Sequence, residues 1–109
     1  MSKQLRFNYE GRDYTLEYTR KTVEMMERQG FVADDVKIKP MSTLPALFAG
    51  AFLANHRFTK PEVIDAIYAK MRNRGELISN LVDMYNEPIM TLMEEPEESE
   101  GNLSWTTSW

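Results

Sequence analysis

The sequence predicts an α+β fold: an N-terminal β-hairpin packed on a mainly helical domain of about four helices, followed by a disordered acidic C-terminal tail. Three observations predict it. Apolar and polar residues alternate with period two over residues 4–19 and break at a glycine. Apolar residues then recur at helical spacing, between recognisable caps, as far as Met93. From Glu94 the composition turns to Glu, Pro, Ser, Gly and Thr, which cannot build a core. The expected division is residues 1–93, hairpin plus helical domain, and residues 94–109, flexible tail.

In the hairpin, Leu5, Phe7 and Tyr9 alternate with Gln4, Arg6 and Asn8, and after Gly11, Tyr14, Leu16 and Tyr18 alternate with Thr15, Glu17 and Thr19. Two strands alone are marginal in water, so their apolar face must lie on helices. Thr19 caps a first helix that runs to about Gln29 and stops at Gly30, the residue best suited to a left-handed turn. A polar connector follows, with an extended piece at Val36, Lys37 and Ile38. Ser42 or Thr43 is expected to cap a second helix over residues 44–55, with Pro45 in its first turn. That helix is apolar almost all round, which places it at the centre of the fold. Thr59 to Glu62 fits a capping box for a third helix, over Val63, Ile64, Ile67, Tyr68 and Met71, ending near Gly75. The last helix begins around Glu76, and Pro88 should kink or break it by removing the bond to the Met84 carbonyl.

The 109 residues allow one domain, and a hydrophobic fraction of 42% can fill its core. With no cysteine and one histidine, disulfides, thiolate metal sites and His-rich metal sites are excluded, and no metal or cofactor is expected. The first thirty residues are too charged for a secretory leader, and no apolar run approaches the ~18 residues of a membrane span. A cytoplasmic location is the expectation. The net charge is −4, but residues 94–109 alone carry five glutamates and no Lys or Arg. That leaves residues 1–93 at +1, a poor polyanion binder, so nucleic acid is not an expected partner.

Catalytic signals are scarce. His56 reads as a cation favoured by a helix C-terminus, with no carboxylate or nucleophile partner that the sequence can show. Lys60, Lys70, Arg72 and Arg74 flank the third helix and imitate a helix-turn-helix, but the helix after them carries Glu76, Asp83 and Glu87 where phosphate contacts would be wanted. Asp34 and Asp35 lack the alternating acidic loop of a calcium site, and no phosphate loop or nucleophile elbow is present. The chain is therefore expected not to be an enzyme.

Eight methionines are many for this length. Met side chains fill irregular core gaps, or form tolerant binding surfaces for a client or a second copy. The last helix carries apolar residues round much of its circumference, so Met84, Tyr85, Ile89, Met90 and Met93 are candidate protein-binding residues. Trp105 and Trp109 are the others; tryptophans in an acidic tail either dock on a protein or have no role.

Three stretches carry a resemblance: residues 18–31 (YTRKTVEMMERQGF), 44–52 (LPALFAGAF) and 81–89 (LVDMYNEPI). They resemble a family of short proteins from prophages of Gram-positive bacteria, often labelled only as a domain of unknown function, which looks like the tail assembly chaperones of long-tailed phages. The resemblance covers roughly residues 5–93 and offers no catalytic signature. It implies a non-enzymatic protein of the host cytoplasm that coats the tape measure protein, recruits tail tube subunits and leaves the finished virion. The alternatives are another small phage morphogenesis or regulatory protein, such as a connector or a host-factor inhibitor, and behind it a DNA-binding regulator built on residues 59–93.

Overall fold

The computed structural model describes residues 3–94 and 106–108. Strands β1 (Leu5–Tyr9) and β2 (Arg12–Leu16) form an antiparallel pair, with Phe7 opposite Tyr14 and Leu5 opposite Leu16. Glu10 and Gly11, both at positive φ (51° and 81°), make the two-residue turn whose twist matches the strands. The Asn8 side chain steadies it, accepting from the Gly11 N–H and donating to Asp13. On the face turned to the helices Tyr14 and Leu16 are buried, while Leu5, Phe7 and Tyr9 are half-buried.

Helix α1 (Arg20–Arg28) starts at Thr19, whose side chain accepts from the Thr22 N–H while the Thr22 hydroxyl accepts from the Thr19 N–H. It ends in a Schellman motif: the Gly30 N–H bonds the Glu27 carbonyl and the Phe31 N–H the Met26 carbonyl, with Gly30 at φ 92°. Residues Ala33–Val36 form a short 3-10 turn where an extended piece was expected, and the Ile38 and Lys39 N–H groups fold back on Asp35. The acidic pair Asp34 and Asp35 sits in its first turn, where the Asp35 N–H bonds the Val32 carbonyl.

Helix α2 (Pro40–Gly50) starts four residues earlier than 44, with Pro40 at its opening and Pro45 inside it. It also ends earlier, and Ala51 to Asn55 continue as tight turns rather than helix. There the Ala51, Phe52 and Leu53 N–H groups reach three residues back, to Phe48, Ala49 and Gly50. That tightening leaves the Leu47 carbonyl without a bond from Ala51, and the buried Tyr18 hydroxyl donates to it at 2.5 Å. Helix α2 and the turn that follows it are the hub: Leu47 and Phe48 in the helix and Ala51 and Phe52 just after it are buried, and α1, α3 and α4 all pack against α2.

Helix α3 (Pro61–Lys70) opens on Lys60 with no side-chain cap, so the expected capping box is absent and the Thr59 hydroxyl is buried without a partner. It stops at Lys70, short of Gly75, because Met71 is extended and Asn73 is left-handed (φ 53°). The Arg74 guanidinium donates to the Ala69 carbonyl and also to the Tyr68 carbonyl, which already accepts the Met71 N–H. Helix α4 (Arg74–Met93) is continuous through Pro88, which does not break it. Aromatic contacts join the layers. Phe7 stacks on Tyr14, and Phe48 meets Phe52 and Tyr68 edge-on. Tyr85 receives Tyr18 from the hairpin side and Phe31 from the end of α1.

Candidate protein-binding surface

The apolar residues of α4 divide along its axis rather than around its circumference. Leu77, Leu81, Met84 and Tyr85 are buried, at the spacing of one helical face, against α1 and α2. Past Pro88 the core is behind the helix. Ile89 is 37% exposed, Met90 65%, Leu92 58% and Met93 79%. The candidate residues therefore separate. Met84 and Tyr85 belong to the core, 5% and 2% exposed, and are withdrawn from the binding face. Ile89, Met90 and Met93 lie together on the outer turns, and Leu92, absent from the candidate set, joins them. Its spacing from Ile89, three residues on, was the available signal. Trp105 and Trp109, and the acidic run at 95–100, lie outside the described residues.

The exposed end of α4 meets a second element. Ile89 lines a shallow concavity of about 450 Å³ with Phe31, Val32, Ala33, Tyr85 and Asn86, closed by Glu27 and Asp34. Val32, half exposed, was hidden from periodicity because it follows Gly30, beyond the helix pattern. Phe31 and Val32 also line a neighbouring groove of about 410 Å³ between α1 and α2, with Met26, Ala46, Ala49 and Leu53. Met26 reaches that groove because Gly50 has no Cβ; one there would overlap the Met26 thioether. The result is a mixed band running from α2 across Phe31 and Val32 to the end of α4: its apolar side chains are interleaved with Gln29, Lys39, Ser42 and Thr43, with the carboxylates Glu27, Asp34 and Asp35 along it and Glu94 at its far end.

The other signals resolve into structural roles. His56 is not a helix-end cation: its Nε2 accepts the Thr15 N–H at 3.0 Å, which requires the neutral ring. Burial first, and the Arg12 guanidinium second, hold its pKa below the ordinary value. Asn55 donates to the Thr15 carbonyl beside it. Of the basic residues around α3, Lys70 lies over the Tyr9 ring and Arg74 over Tyr68 while capping α3. Burial and then Tyr85 push the Tyr18 phenol above its ordinary pKa, and burial and then Glu27 push up that of Tyr85, so both stay protonated. Among the described residues no three His, Asp or Glu side chains converge, and no helix is long and apolar enough to cross a membrane.

The chain belongs to the family described as Domain of unknown function (DUF5055), whose model matches residues 1–109. No curated protein and no solved structure matches it.

Proposed function

We propose that this chain is a non-enzymatic, cytoplasmic protein-binding factor of phage tail assembly, a chaperone that holds apolar helical segments of a tape measure protein and brings tail tube subunits to them. The observation that carries a protein-binding role is the row Ile89, Met90, Leu92 and Met93, exposed on two adjoining turns of a helix whose earlier turns bury Leu77, Leu81, Met84 and Tyr85 in the core. Apolar patches of that kind on small proteins tend to be interaction sites. Phage tail assembly rests on the resemblance of residues 18–31, 44–52 and 81–89.

The chemistry of the surroundings selects the client. Along the band the carboxylates Glu27, Asp34, Asp35 and Glu94 outnumber the one cation, Lys39, so the favoured partner is an amphipathic helix with Lys or Arg beside its apolar stripe. Flexible thioethers suit many such helices, because they repack around different side chains. Fully burying a Met or Leu side chain contributes about 1.5–3 kcal/mol, so the four residues offer roughly 5 kcal/mol before the entropy of association is subtracted. Affinity for a single helix is then modest, which suits a chaperone that must leave.

Co-expression with fragments of a tape measure protein from the same genome tests the reading. Capture of a fragment and its retention in the soluble fraction are expected, weakening as salt rises. Insolubility of every fragment regardless of this chain contradicts the proposal.

A further inference from the structure

We propose that β1 pairs with β1 of a second copy, so that two hairpins form one four-stranded antiparallel sheet across a twofold axis. The two edges of the hairpin are not alike. The outer edge of β2 is closed from Thr15 onward by named partners: the Thr15 N–H on His56, the Thr15 carbonyl on Asn55, and the Glu17 N–H on the Ala51 carbonyl, leaving only Asp13 beside the turn without one among the described residues. The two-residue turn at Glu10 and Gly11 makes Tyr9–Arg12, Phe7–Tyr14 and Leu5–Leu16 the hydrogen-bonded pairs of the ladder. The backbone groups of Arg6 and Asn8 therefore point away from β2. Among the described residues nothing bonds them. Leu5 and Phe7 also stay half-buried, although their partners Leu16 and Tyr14 are covered, as if the sheet stopped one strand early.

The occupant is a second copy because β1 is complementary to itself. Setting Phe7 opposite Phe7 places Leu5 opposite Tyr9 and Arg6 opposite Asn8, extending the apolar face and opposing no like charges. Sliding by one pair in one direction sets Arg6 against Arg6. Sliding the other way carries the pairing into the turn. Residues 1–93 have a net charge of only +1, so two domains do not repel each other. Five residues per strand make a small interface, so association is weak, with Kd on the order of 100 μM. This surface lies apart from the end of α4, and its failure would leave the client-binding proposal standing.

Sedimentation over a concentration series tests it. A monomer–dimer equilibrium is expected, weakened at least about tenfold by Arg6→Pro, which removes an outward N–H and no bond to β2. Because the chain has no cysteine, Phe7→Cys supplies an independent readout: opposed Cα atoms ~4.5 Å apart admit a disulfide, and oxidation should give a covalent dimer. Thr107→Cys, on an exposed residue of the tail, is the control for chance collision. A protein monomeric at all concentrations overturns the proposal, as does a folded Arg6→Pro variant that dimerises unchanged. If Arg6→Pro unfolds, the cross-link decides: Phe7→Cys coupling no faster than Thr107→Cys overturns the pairing.

Discussion

Replacing Tyr18 with Phe deletes one hydroxyl and tests how the hairpin is tied to the central helix. The ring keeps its place, because its edge-on contact with Tyr85, with centroids 5.4 Å apart, does not involve the oxygen. The loss falls on the Leu47 carbonyl. Ala51 has turned its N–H to Phe48, and Tyr18 is 1% exposed, so water has no route to replace the donor. A buried acceptor left unpaired costs about 1–3 kcal/mol, and complete burial places this one near 2. For a domain of this size that lowers Tm by about 8–15 °C. Urea unfolding should show a lower midpoint with unchanged slope, since no surface is newly exposed. The pH dependence gives a second readout. Tyr18 titrates higher folded than unfolded, so its contribution is complete below about pH 10 and is lost as pH rises beyond it. Tyr18→Phe should reduce that alkaline loss. A change below about 0.5 kcal/mol would refute the accounting, by showing that Leu47 has another donor.

Two further substitutions probe the elements that position the surface. His56 has a folded pKa below its unfolded value of about 6.5, so the unfolded chain takes up the proton first as pH falls. Stability should fall below about pH 6.5, and His56→Ala should flatten that slope while costing about 1 kcal/mol at pH 7.5 through the unpaired Thr15 N–H, read from urea midpoints across pH. Gly30→Ala meets no neighbouring atom, so its cost of about 1–2 kcal/mol is purely that of holding a β-carbon at φ 92°; Gly30→Asn should cost less, measured the same way.

What the sequence made legible was local. Alternation marked both strands, Thr19 and Gly30 marked both ends of α1 through bonds made within one turn, and Pro61 marked the start of α3. What escaped depended on contacts distant in sequence. Helix α2 ends where Tyr18 and Glu17 supply partners from the hairpin, and nothing near Gly50 announces it. The end of α3 depends on a left-handed Asn73 and a returning Arg74, neither visible as a break in periodicity. His56 was misread for the same reason, since its partner Thr15 is 41 positions away. In α4 the apolar residues at Met84, Tyr85, Met90 and Met93 look alike as sequence. Only the reach of α1 and α2 decides that the first two are core and the last two surface.

The central claim is that the last turns of α4 serve binding and not folding, and the Met90→Glu, Met93→Glu double variant tests it most directly. Exposed substitutions shift stability by about 0.5 kcal/mol, and carboxylates near a helix C-terminus add about 0.3–1 kcal/mol of unfavourable dipole interaction. Unfolding free energy should therefore drop by no more than about 1.5 kcal/mol, with the far-ultraviolet spectrum unchanged. Capture of an amphipathic tape measure helix, measured by titration on the same sample, should weaken by about 30- to 150-fold, the equivalent of roughly 2–3 kcal/mol of lost apolar contact. A variant that unfolds, or one that stays folded and binds the helix as tightly as before, would contradict the account.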